Sequence, residues 1–123
     1  MKRAIPLHSP LPLALLVTLW IVAPGMLAAQ PQVRYDVSFP NAVHHEANIT
    51  VTYTELPFMH ELEMRLSRSS PGRYALHEFG KNVHDVRAED AGGSKLEIVR
   101  PDPYSWVVQD VEGTVHVHYT LFA

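Results

Sequence analysis

The sequence predicts an all-β fold, a small antiparallel β-sandwich preceded by a signal peptide. Three observations carry this. Apolar and polar residues alternate with period two in run after run. Turn-forming pairs such as Pro71-Gly72 and Gly92-Gly93 punctuate those runs at short intervals. No segment beyond residue 30 sustains the 3.6-residue apolar period of a helix. Six to eight short strands separated by turns describe a sandwich.

The chain opens with Lys2 and Arg3, then an apolar run over residues 11–23 holding one threonine and one proline. Pro24-Gly25 breaks it, and Ala28 and Ala29 supply small residues for cleavage. That order is the positive, apolar and small-residue order of a secretory signal. The run falls short of the ~20 residues that span a bilayer, so membrane contact is expected only during export. The expected division is therefore residues 1–29 as signal peptide and 30–123 as the β domain. The destination is the periplasm or the extracellular space.

In the domain, Val33, Tyr35, Val37 and Phe39 alternate with Arg34, Asp36 and Ser38 until Pro40-Asn41. Residues 48–54, NITVTYT, put Ile49, Val51 and Tyr53 on one face and threonines on the other. Residues 61–67, ELEMRLS, turn Leu62, Met64 and Leu66 inward. Pro71-Gly72 reads as a turn, since proline presets φ and glycine accepts positive φ. Residues 83–89 form the next strand, and DAGGS at 90–94 a hairpin turn from which KLEIV leads away. Pro101 to Pro103 interrupts the chain, residues 105–109 make a short strand around Trp106, and Glu112-Gly113 turns again. Residues 114–122 close the domain with Val115, Val117, Tyr119 and Leu121 on one side.

All thirteen acidic residues lie beyond Ala29 with eight of the ten basic ones, a net charge of −5 for the domain. An acidic surface without a Lys/Arg cluster argues against nucleic acid as a partner. The chain has no cysteine. An exported domain of 94 residues must then rely on its core alone, burying about two-thirds of its unfolded surface.

Histidines are the remaining candidates for chemistry. His77-Glu78 begins like H-E-x-x-H, but the second-ligand position carries Lys81. His116 and His118, two apart on a strand, share a face and offer a two-ligand geometry for zinc or copper. Thr114 and Thr120 continue that face, and the sequence names no third ligand, so a solvated face is the expected reading. No Gly-x-Ser-x-Gly elbow is present.

The segments YDVSFPN (35–41), SPGRYALHEFGKNVHDVRAED (70–90), SWVV (105–108) and VHVHYTLFA (115–123) occur in this order. Together they resemble the N-terminal β domain of the glycyl aminopeptidase family, peptidase family M sixty-one. Ser70, Pro71, Gly72, Tyr74, Glu78, Phe79, Asn82 and Val83 match its central stretch. His77 stands where the family often has arginine, and Ser69 where it often has tryptophan. The resemblance implies a non-catalytic accessory domain that packs on a catalytic domain and helps shape its substrate cleft. It also implies that zinc and its H-E-x-x-H ligands belong to that following domain, so this chain is expected to hold no cofactor and not to hydrolyse peptides. The partner is the family's own catalytic domain, and the expected contact residues are Arg73, Tyr74, His77, Glu78 and Asn82. Phe79 is expected in the core. The alternative is a free-standing, truncated exported module that binds a protein partner.

Overall fold

The alternations on either side of Glu55 belong to one strand. In the computed structural model, which describes residues 29–69, 72 and 75–122, the chain runs Glu46–Arg65 without leaving the sheet. The expected signal peptide, together with Ser70, Pro71, Arg73 and Tyr74, lies outside the described residues. The strands are β1 (Gln32–Ser38), β2 (Glu46–Arg65), β3 (Val83–Asp90), β4 (Lys95–Leu96), β5 (Ile98–Asp102) and β6 (Ser105–Phe122). Two single 3-10 turns, Ala42–His44 and Phe79–Asn82, complete the described elements. The all-β antiparallel class expected from the sequence is what the chain forms.

All six strands join one antiparallel sheet in the order β1-β2-β6-β3-β4, with β5 also on β6. A straight strand of 20 residues would reach about 66 Å, far beyond a domain this size. β2 and β6 therefore bend, and the register between them shifts twice, between Tyr53 and Leu56 and between Leu56 and Met59. Glu55 (φ 58°) on β2 and Asp110 (φ 47°) on β6 sit at the bend in the left-handed region, as bulge residues do. Each bulge reverses which side chains point inward. On β2 the inward residues are Ile49, Val51 and Tyr53 before Glu55, then Leu62 and Met64 after it. On β6 they are Trp106 and Val108 before Asp110, then Val111, Val115 and Val117. The two layers are thus one sheet folded along its two longest strands.

The core spans the bend. Val108, Val111, Val115, Val117 and Ala88 are fully buried, with Ile49, Val51 and Leu56 beside them and Met64, Leu62 and Ile98 closing the second layer. The Asp90–Ser94 turn forms as its residues dictate. Gly92 and Ser94 donate to Asp90 Oδ1, each at 2.8 Å, and Gly93 takes φ +81°. Pro101 does not interrupt the chain, because β5 contains it on a strand whose one neighbour among the described residues is β6. The break falls at Pro103-Tyr104, a two-residue turn between Asp102 and Ser105.

Candidate functional site

The turn between β5 and β6 builds an open recess on the surface. Asp102 Oδ1 accepts the Tyr104 N–H at 2.9 Å, which sets the turn and presents the tyrosine ring. The Tyr104 carbonyl accepts the Leu66 N–H at 3.0 Å, tying the end of β2 to the same turn. Arg68, just beyond, lays its guanidinium 4.3 Å from the centre of the Tyr104 ring, and Arg65 approaches to 5.7 Å. Arg65 also donates from Nε to Ser105 Oγ at 3.2 Å. What burial Asp102 has would raise its carboxyl, but the Tyr104 N–H, the Ser105 hydroxyl and N–H, and the Arg65 charge hold it below its usual value. Arg65, Ser67, Arg68 and Tyr104 line an open recess of about 490 Å³.

The expected contact residues fall around this recess in part. His77 donates its backbone N–H to the Arg68 carbonyl at 2.8 Å, which brings its segment beside the arginine-tyrosine stack. Its ring is half-buried and lies parallel to Phe79 at 5.1 Å. Two nitrogens here, Arg68 Nε and His77 Nε2, are buried and have no hydrogen-bond partner among the described residues. Glu78 is exposed and precedes the turn Phe79–Asn82 without capping it by its side chain; its carbonyl accepts the Lys81 N–H at 3.2 Å. Asn82 is half-buried at the far end of that turn. Arg73 and Tyr74 lie outside the described residues. Phe79 corrects the expectation for it. It is 41% exposed rather than in the core, because the short turn carries it outward onto His77.

Gly80 is the buried residue of that turn, packed directly on the Pro103-Tyr104 backbone. Sequence reasoning passed over Arg68 and Tyr104. Neither sits in a motif, and the stack exists only because the ends of β2 and β6 meet.

His116 and His118 do share the outer face of β6. The Nδ1 atoms are engaged by Thr52 and Thr50 of β2, at 3.1 and 3.0 Å. Among the described residues no three His, Cys, Asp or Glu side chains stand close enough to hold a metal ion. His77-Glu78 with Lys81 fits zinc no better, since the pair precedes the short 3-10 turn Phe79–Asn82 and lysine stands in the second-ligand place.

His118 is held below its ordinary value of 6.5, first by burial and then by Arg87, with Glu89 opposing and His116 adding to the depression. The folded state thus favours the neutral ring, and the unfolded chain takes up the proton first as pH falls. Its contribution to stability is present above pH 6.5 and is lost as pH falls below that through the folded value. His118→Gln is expected to flatten the dependence of unfolding free energy on pH in that window, read by urea titration at stepped pH. An unchanged slope would count against it.

A second concavity, about 340 Å³, opens between the two layers and is lined by Tyr35, Tyr53, Tyr119, Met64, Trp106 and Val117 among others. Burial pushes the Tyr53 phenol up to about 12, with Tyr35 and Tyr119 adding to the shift. Its lining is largely apolar and its mouth lies by β1, whose Val33, Tyr35 and Val37 are at least half exposed.

A folded antiparallel sheet ending in a loop-built recess defines an all-β module. The chain belongs to the peptidase M61 N-terminal domain family, whose model matches residues 34–123. In fold it is similar to an aminopeptidase N family protein from Idiomarina loihiensis of known crystal structure, with a TM-score of 0.68 and 24% identity over 75% of this chain. This chain spans 15% of the length of that protein. No curated protein matches it.

Proposed function

We propose that this domain packs on the catalytic domain of an exported zinc aminopeptidase and helps shape one wall of its substrate cleft. The proposed contact surface is the recess around Arg68 and Tyr104 together with His77, Glu78 and Asn82; Arg73 and Tyr74, outside the described residues, belong to the proposed contact set from the sequence alone. The observation that supports it is the pair of buried nitrogens, Arg68 Nε and His77 Nε2, without partners among the described residues. Buried polar groups are almost always hydrogen-bonded, and leaving one unmatched costs about 1–3 kcal/mol. A carboxylate or carbonyl from a docked domain would satisfy both. Exposed Leu76 and Phe79 beside them supply the apolar contact that such an interface uses. Zinc and the peptide chemistry would be supplied by the catalytic domain, and the signal at residues 1–29 would deliver the protein to the periplasm or beyond.

The test uses a full-length relative containing both domains. Alanine at the positions aligned with Arg68 and Glu78 is expected to weaken docking by about 2 kcal/mol, and to lower kcat/KM for peptide substrates with it. Differential scanning calorimetry separates the domains. Unchanged kinetics together with unchanged coupling of the two transitions would remove the reading.

A further inference from the structure

Among the described residues β1 is one margin of the sheet, and no proline or bulge breaks it; its only charges are Arg34 and Asp36, of opposite sign. It pairs with β2 over seven residues without a register shift. It contains no proline, and none of its residues takes positive φ. Every residue of it is exposed. The far margin, β4, has only two residues. Long, regular edges present a row of unpaired N–H and C=O groups and are normally covered or broken by charge, bulge or proline.

The order of side chains says what fits this edge. Residues 33–37 read Val-Arg-Tyr-Asp-Val. About Tyr35 that string complements itself. An antiparallel second copy centred there sets Val33 against Val37, Tyr35 against Tyr35, and Arg34 against Asp36 twice. Arg34 and Asp36 already lie on one face, joined at 2.7 Å within the chain. The two-fold arrangement would therefore place four charges in alternating sign. Centring the pair one residue away instead opposes Arg34 to Arg34 or Asp36 to Asp36, and like charges directly opposite are unfavourable. The apolar side gains as well, because Val33, Tyr35 and Val37 are 50%, 64% and 52% exposed and would meet Val37, Tyr35 and Val33 of the second copy beside the tyrosine-lined cleft.

We propose that β1 is a self-association edge. Two copies of the chain join antiparallel through Gln32–Ser38 with Tyr35 on the two-fold axis, and their sheets become one. Such an interface is isologous and closed, so it stops at two. It lies apart from the recess around Arg68 and Tyr104, and stands or falls independently of the docking reading.

Sedimentation equilibrium of the purified chain is expected to show twice the chain mass at high concentration, dissociating on dilution. Asp36→Arg opposes cations twice and is expected to weaken the dimer about tenfold. The exchange R34D/D36R sets opposite charges face to face again and restores it. The chain has no cysteine of its own, which permits a second readout. Tyr35→Cys is expected to give a disulfide-linked pair on mild oxidation, since directly opposed Cα atoms stand about 4.5–5.5 Å apart. Val33→Cys alone is not, because its own copy would lie about 14 Å along the strand. Far-UV circular dichroism matching the parent confirms that each variant is folded. A parent that stays monomeric at every concentration overturns the proposal and assigns β1 to a strand of other chemistry. So does a dimer indifferent to the charge reversal, or cross-linking equal at the two positions.

Discussion

Gly80→Ala is expected to destabilise the domain by about 3 kcal/mol, lowering the melting temperature by about 15 °C. Gly80 has no special torsion to protect; what it lacks is room. A Cβ there would overlap the Pro103 carbonyl oxygen and come within 3.0 Å of Tyr104 Cα. Overpacking usually costs about 1–3 kcal/mol, and the neighbour here is backbone, which has no rotamer to yield. The Pro103-Tyr104 turn is also held by Asp102 and Leu66, so relief has to come from moving the turn Phe79–Asn82 away. That would displace Glu78, which precedes the turn, and Asn82, which ends it. Gly92→Ala is the control, since its Cβ would meet only the Asp90 carboxylate, at 3.3 Å. Equal melting of the two variants would show that the contact is soft and the argument wrong.

Residues on either side of this contact mark the limit of what the sequence could convey. The alternations of NITVTYT and ELEMRLS were legible, and they lie in the sheet with Ile49, Val51, Tyr53, Leu62 and Met64 inward, whereas Leu66, also expected inward, falls just past the end of β2. That they are one strand was not legible. The joint is Glu55, and the matching joint on β6 is Asp110; glutamate does not announce positive φ, and aspartate tolerates it without requiring it. Only the closing of the core across the bend holds them there, and that is a property of the whole sheet. Gly113, by contrast, takes φ +69° as a turn glycine should, yet it lies inside β6. The candidate contact set divides in the same way. His77, Glu78 and Asn82 came from a contiguous stretch that the family match covers. Arg68 and Tyr104 are 36 positions apart and meet only because the sheet brings the ends of β2 and β6 together.

Trp106→Ala is expected to have the largest effect of any single substitution here, about 4 kcal/mol. The indole is 6% exposed and lies opposite Met64 across the β2–β6 pairing. Arg100 stacks on it at 4.9 Å, and it forms part of the wall between the two layers that the cleft separates. A domain of about 94 residues has roughly 5–14 kcal/mol of net stability, and with no disulfide this one falls toward the lower figure. Losing 4 from 5 leaves a chain substantially open at 37 °C, whereas losing 4 from 14 would leave it folded. Urea unfolding of the variant therefore measures how close to its limit the isolated domain stands. Arg100→Ala removes the exposed cation over the ring and its hydrogen bond to the Pro103 carbonyl, and is expected to cost about 1–2 kcal/mol. If the two variants unfold at the same urea concentration, Trp106 is not what holds the folded sheet closed, and the bend must be maintained by the buried valines of β6 alone.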